Sequence, residues 1–307
     1  METIIKPLLA YNRIWDFYQT LGILSDLDPS SEFTIYNLSK YTLPTNYQSP
    51  LFRANYFSFV FAKDAWGTCK ADNHRFEIMP GTVYFNNPEH LKQFKIEEAK
   101  DLYLLSVSES FLKENVHSDI FEEFPFLLSE IVPPRLFDPQ EFSEFEELYL
   151  QIEKAYLSQS LYRNKIIGHL VVALLIKIKE NFWNDYNPPS GGNRASAIVR
   201  QFKVVIEQHY RDLTNGVNDR VHRLNEYADI LSLHPNYLNT VIKAGTGKTV
   251  GNWIAEKTII EAKAMLKNSA IPVKEISCRL GFAEVQHFSS YFKKHTKVTP
   301  VLYRQSA

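Results

Sequence analysis

Hydrophobic positions change their spacing twice along this chain. Between residues 32 and 108, short runs rich in Tyr, Phe, Val and Ile recur at 33–38, 56–62, 75–79, 83–85 and 102–107. Aromatic and β-branched residues in runs of this length fit pleated strands. Pro80-Gly81 and Asn86-Asn87-Pro88 supply turns between them, and the spacing predicts an antiparallel barrel or sandwich. From residue 141 the period lengthens to three and four. Phe142, Phe145, Leu148, Tyr149 and Ile152 share one helical face, and Ile166, Ile167, Leu170, Val171, Leu174, Leu175 and Ile178 share another, so two consecutive helices are predicted within 141–184. The second stripe is broad; it suits a homodimer interface and equally a lid on the barrel. At 187–193, NPPSGGN, two prolines end the helix and two glycines remove stiffness, which predicts a linker between a domain of 1–186 and a domain of 194–307.

Beyond the linker, 196–211 patterns as an amphipathic helix through Ile198, Val199, Phe202, Val205, Ile206 and Tyr210. The chain then repeats itself. LNEYADILSL at 224–233 aligns with VKEISCRLGF at 273–282, pairing Glu226 with Glu275, Leu231 with Leu280, Ser232 with Gly281 and Leu233 with Phe282. One position out of step, YLNTVIKAGTGKTV at 237–250 aligns with HFSSYFKKHTKVTP at 287–300. Each copy reads as a short helix, a tight turn and a second short helix, with small residues Ala228, Ser232, Ser277 and Gly281 where the helices meet. That is helix-turn-helix grammar, expected over about 224–244 and 273–294. Pro235 suits a first helical position, where its missing N–H costs nothing. Residues 252–266 between the copies predict a helix of roughly 15 residues, about 22 Å long. Such a spacer suits two recognition helices entering successive major grooves roughly 34 Å apart.

Helix geometry selects the side chains that would meet DNA. In the first copy Asn236, Asn239, Thr240 and Lys243 fall opposite Tyr237, Leu238 and Val241; in the second Val285, Gln286, Ser289 and Ser290 oppose Phe288, Tyr291 and Phe292, with His287 between. Asn and Gln pair bidentately with adenine and Val meets a thymine methyl, which makes Asn236, Asn239, Thr240, Val285, Gln286, His287, Ser289 and Ser290 the base-reading candidates; Lys243, Lys293 and Lys294 suit phosphates.

Composition sharpens this picture. Of 307 residues 45% are hydrophobic and 22% charged, ample for packed cores, and the net charge is −1. The charge is split: residues 194–307 carry 17 Lys and Arg against 9 Asp and Glu, or +8, leaving −9 for 1–193. A domain of +8 gains counterion-release free energy on double-stranded DNA. Cys69 and Cys278 stand far apart without Cys-x-x-Cys spacing, so neither a disulfide framework nor a zinc site is expected and a reducing cytoplasm fits. The longest apolar run, 166–178, is shorter than the roughly 20 residues of a spanning helix.

The second copy carries a resemblance. IPVKEISCRLGFAEVQHFSSYFKKHTKVTPVLYR follows the pattern I-x-E-I-A-x-x-x-G-F-x-x-x-x-x-F-x-x-x-F-K-x-x-x-G-x-T-P-x-x-Y-R, and residues 196–304 are identified as similar to the AraC/XylS family of bacterial regulators. The chain departs from that pattern at Lys297 for the usual Gly, Ser290 and Thr240 where Arg is common, and His234 for the usual Ser cap. PGTVYFNNPEHLKQFKI at 80–96 looks like the family's sensor barrel, with Lys92 for its His. The resemblance implies an α+β chain: a jelly-roll-like (cupin-like) antiparallel β-barrel with two helices, then an all-α domain of two helix-turn-helix units. It further implies a transcription activator that answers to an unknown small-molecule effector and contacts RNA polymerase. Tyr56, Trp66, Phe85 and His90 are the effector-pocket candidates.

Enzymatic readings find little support. Gly245-Thr246-Gly247-Lys248-Thr249 mimics a nucleotide loop, but the glycine required five residues before Gly247 is Ile242. The N-terminal histidines His74, His90, His117 and His169 stand singly, so no metal site, cofactor or catalytic group is expected.

Overall fold

A computed structural model of the chain describes residues 9–23, 28–41, 46–117, 119–128, 131–183, 194–268 and 270–305. In chain order the elements are β1 (Leu9–Tyr11), α1 (Ile14–Thr20), β2 (Phe33–Asn37), β3 (Tyr47–Gln48), β4 (Phe52–Ala54), β5 (Phe57–Ala71), β6 (His74–Ile78), β7 (Thr82–Asn86) and β8 (Lys92–Val107). There follow α2 (Glu109–Asn115), α3 (Ile120–Glu123), β9 (Arg135–Leu136), α4 (Pro139–Tyr156), α5 (Arg163–Trp183) and α6 (Arg194–Thr214). The last six are α7 (Leu224–Ile230), α8 (Pro235–Thr246), α9 (Val250–Asn268), α10 (Val273–Arg279), α11 (Val285–Thr296) and α12 (Pro300–Gln305).

The chain forms two compact units, one of residues 1–111 with 130–190, the other of 112–129 with 191–307. This division departs from the expected 1–186 domain in one segment: 112–129 belongs with the C-terminal helices. The expected linker 187–193 lies outside the described residues.

The first unit is built on one mixed sheet with the strand order β1-β4-β8-β5-β7-β9 and with β2, β3 and β6 branching from it. Its spine is the antiparallel pair β5 and β8, in register from Phe57 opposite Val107 to Ala71 opposite Lys92. The runs 56–62 and 102–107 are therefore only the apolar halves of strands 15 and 16 residues long. Register shifts at Ala62/Asp64 and Trp66/Gly67 reset the alternation, and the other half of β8 is the charged KQFKIEEAKD, so a period-two pattern loses both strands midway.

Tyr18, Phe17 and Ile14 of α1 are buried with Phe52, Tyr56, Ala62, Leu102 and Leu104. Phe61 lies 4.9 Å from the Tyr149 ring of α4, and Tyr103 lies 4.5 Å from the same ring. Helix α4 starts on an Asp138 side chain that accepts the N–H groups of Gln140 and Glu141, while Glu141 reaches back to the Asp138 N–H, a reciprocal cap that satisfies the first turn. Helix α5 buries Ile167, Val171, Leu174, Leu175 and Ile178, and leaves Ile166 and Ile176 exposed.

The second unit is all helical. Phe202, Ile206 and Tyr210 of α6, Leu238 and Ile242 of α8, Trp253, Ala262 and Leu266 of α9, and Phe288 and Phe292 of α11 form one buried cluster. Helix α9 runs for 19 residues, longer than expected, and packs on α6, α8, α10, α11 and α12. Tyr210 anchors α6 on it, its hydroxyl 2.8 Å from the Ile254 carbonyl and 2.6 Å from the Thr258 hydroxyl.

Candidate nucleic-acid interface

The two repeats fold alike at their turns and at the ends of their second helices. In the first, Glu226 accepts the Arg223 N–H at 2.8 Å to start α7, and hydrogen bonds from Arg220 and that N–H hold its carboxyl down at about 2. The chain turns through Ser232 at φ +54°, with the Leu233 N–H returning to the Ala228 carbonyl at 2.8 Å. In the second it turns through Gly281 at φ +74°, with Phe282 N–H returning to Ser277 at 3.0 Å. Left-handed turns of this kind close a helix by feeding its orphan carbonyls. Ala228 and Ser277 are buried under the two turns, where a larger side chain would part the helices.

The second helices correspond at an offset of fifty. Helix α8 ends on Gly247 at φ +82° and α11 on Lys297 at φ +70°, and in each the N–H of that residue donates to the carbonyl of Lys243 or Lys293 at 2.8 Å. Lys297 therefore holds, at some strain, the conformation that glycine takes freely. Thr246 and Thr296 each donate to the carbonyl four residues back, at 2.8 Å. Gly245 and Thr246 close α8 and Lys248 pairs with Glu256 at 2.7 Å, so the nucleotide-loop look-alike is the end of a helix. The N-caps differ: His234 Nδ1 accepts the Asn236 N–H at 3.3 Å, whereas Glu284 makes no side-chain cap.

The outer faces hold most of the expected residues. Asn236, Thr240 and Lys243 are exposed on α8, and Gln286, His287, Ser290, Lys293 and Lys294 are exposed on α11; Val285 and Ser289 are half-buried. Two positions differ from expectation. Tyr237 is 44% exposed, because the inner face is set by Leu238, Val241 and Ile242, and Tyr237 precedes that face by one residue. Asn239 is turned inward: its Oδ1 accepts the Val250 N–H at 3.0 Å and so caps the first turn of α9. Its carbonyl oxygen is committed to the fold, which removes half of the bidentate group that adenine would need. Sequence patterning missed this because the partner lies eleven residues away in another element.

The loop from α6 to α7 is held by a pair of histidines. The His209 and His222 rings stack at 3.7 Å, and His209 Nε2 accepts the His222 N–H at 3.0 Å. The Asn218 side-chain amide lies 3.2 Å from His209 Nδ1 on the other side of the ring. Burial, helped by His222, pushes the His209 imidazole down to about 4. The same loop lies over the second repeat: a Cβ on Gly281 would stand 2.9 Å from Arg220 Cα.

The effector-pocket candidates lie in the first unit, each with its own neighbours. Tyr56 is buried beside Phe17, Phe85 packs on Phe59 at 4.9 Å, Trp66 is 48% exposed, and His90 Nδ1 lies 2.8 Å from Asp72. Among the described residues no group of three or more His, Cys, Asp and Glu is arranged for a metal ion, and no helix is long and apolar enough to cross a membrane. Both cysteines are free, Cys69 buried and Cys278 exposed.

Two helix-turn-helix units on one spacer helix place the C-terminal unit in the helix-turn-helix class. Residues 227–306 match the family model described as a helix-turn-helix domain. The chain is 35% identical over 117 residues to the uncharacterized HTH-type transcriptional regulator YobQ of Bacillus subtilis, covering 37% of this chain and 48% of that one, so it spans about half of YobQ. It is 23% identical over 241 residues to the arabinose operon regulatory protein of Escherichia coli, covering 78% of this chain and 76% of the relative. Among solved structures, the C-terminal domain of AraT from Geobacillus stearothermophilus matches at 28% identity and a TM-score of 0.33, over 38% of this chain and 89% of that one. ToxT from Vibrio cholerae matches at 14% identity and a TM-score of 0.37, over 89% and 98%. The chain is thus similar, most clearly over residues 227–306, to proteins named as HTH-type transcriptional regulators.

Proposed function

We propose that this protein regulates transcription by binding a bipartite DNA site, with α8 and α11 reading successive major grooves. The observation that carries the reading is the fifty-residue correspondence of the two units, with their outer faces polar and tipped by Lys243, Lys293 and Lys294. Asn236, Tyr237 and Thr240 read bases in one block and Val285, Gln286, His287, Ser289 and Ser290 in the other; the three lysines hold phosphates. The first unit is the cytoplasmic protein's cupin-like sensor for a small-molecule effector. Leu150, Leu157, Leu161, Tyr162, Ile166 and Ile176, exposed on and between α4 and α5, support a homodimer through that face. Effector binding changes how paired chains engage neighbouring sites, and activation proceeds by contact with RNA polymerase.

The test is selection of full-length protein on random duplexes. Two enriched blocks about one helical turn apart are expected. Gln286→Ala relaxes one position of one block at a cost of about 1–3 kcal/mol. Lys243→Ala weakens all duplexes alike and lowers the salt slope by about 0.9. Binding with no enriched motif overturns the reading.

A further inference from the structure

The second unit contains a piece of chain that the sequence placed elsewhere. Residues 112–129 follow the strand β8 and precede α4, yet they cluster with 191–307. Ile120, Phe121, Phe124, Phe126 and Leu127 of this segment are all buried. Its polar anchors are Lys113 and Glu114, adjacent in sequence and exposed by only 2% and 5%.

Each anchor ties different helices together. The Lys113 ammonium pairs with Glu207 of α6 at 2.5 Å and with Glu261 of α9. Lys257 of α9 closes the cluster on the other oxygen of Glu207 at 2.5 Å, and both ammonium groups stand over the Phe121 ring at 5.3 and 5.1 Å. Glu114 accepts the Tyr303 hydroxyl of α12 at 2.8 Å and pairs with Lys267 of α9 at 2.8 Å. Arg211 of α6 pairs with Glu122. Helix α6 packs on α7 and α8 of the first helix-turn-helix unit, α12 packs on α11 of the second, and α9 touches both.

A buried cluster of four charges adds little net stability, because desolvation of each ion consumes most of the attraction. Its directional contacts do specify geometry, and removing one partner leaves a buried charge uncompensated. Burial acts to raise the Glu207 carboxyl, yet Lys113 and Lys257 overcome it and hold the group at about 2. Glu261 moves the other way, raised first by burial. The cluster therefore depends on Lys113.

We propose that Lys113 and Glu114 are positioning residues for two-site DNA reading: by pinning α6, α9 and α12 together, residues 112–129 fix the separation and angle of the recognition helices α8 and α11. The proposal rests on the bipartite reading above for its DNA consequence, but its structural claim does not.

The test uses the full chain carrying Cys278→Ser, with Thr240→Cys and Ser290→Cys spin-labelled, and reads the distance between the labels without DNA. One narrow distribution is expected, broadened by Lys113→Gln and, to a smaller degree, by Tyr303→Phe, which deletes only one hydroxyl. On unlabelled protein, Lys113→Gln is expected to weaken binding to the selected two-block duplex roughly tenfold relative to a one-block duplex, while a purely stabilising role lowers the melting temperature and leaves that ratio unchanged. An unchanged distance distribution in folded variants, or equal weakening on both duplexes, overturns the proposal; should Lys113→Gln fail to fold, Tyr303→Phe decides it. If selection yields no motif, the two-site reading fails and the label distances still decide the positioning claim.

Discussion

Residue 250 of the first helix-turn-helix unit is a valine whose N–H begins α9, and its counterpart fifty positions on, residue 300, is a proline with no N–H to satisfy. Asn239 is drawn in to accept the Val250 N–H, while the matching Ser289 meets no such demand. Residue 232 is a serine and residue 281 a glycine, although both adopt φ near +54° to +74°. Ser232 is exposed, whereas Arg220 and Val221 of the loop lie against Gly281. The two units thus share one backbone, and each departure between them traces to what a neighbouring segment places against it. The repeat keeps what its own turns require; its surroundings choose the rest.

The largest effect that would break this comparison is at the paired turns. Gly281→Ala adds a strained φ and a Cβ 2.9 Å from Arg220 Cα, and is expected to cost about 2–3 kcal/mol in denaturant unfolding. Ser232→Ala at the matching turn is expected to cost under about 0.5 kcal/mol. Equal costs would show that the loop over Gly281 yields freely.

The loop itself gives the next effect. His209 is held at about 4 in the fold against an ordinary 6.5, so as pH falls the unfolded chain binds its proton first. Stability from this group is complete above pH 6.5 and is lost between 6.5 and 4. With discount for solvent, the loss is about 1–2 kcal/mol. Melts against pH would show it, and His209→Gln should flatten that slope; a slope that survives the substitution assigns the acid sensitivity elsewhere.

The smallest effect sharpens the contrast of caps. Asn239→Ala removes the acceptor of the Val250 N–H and is expected to lower stability by about 1 kcal/mol, while Ser289→Ala leaves the melt within about 0.5 kcal/mol. If the two substitutions behave alike, Asn239 has no special structural duty and returns to the base-reading face.

Much of this molecule was legible before any coordinates. Helical periodicity located α4 through α6, and the internal repeat, offset by 49 at the turns and by 50 at the second helices, located both turns and both recognition helices, because those features follow from local backbone chemistry. The sheet was half legible: the apolar ends of β5 and β8 stood out, but bulges and a charged stretch hid that each is one long strand. The site was legible as faces and less so as individual side chains, with Tyr237 outside and Asn239 inside against expectation.

The sequence by itself determined the repeat, the tight turns with small residues Ser232 and Gly281, the two short helices of each unit and the basic character of the C-terminal half. Each is written in residues a few positions apart, where sterics and hydrogen bonding act through the local chain. Only the tertiary structure decided that Asn239 caps α9, that Arg220 makes glycine necessary at 281, and that Lys113 is buried between Glu207 and Glu261. Those partners lie from 11 to 148 residues apart, and a pairing over such distances is set by how whole helices pack, which no local pattern records.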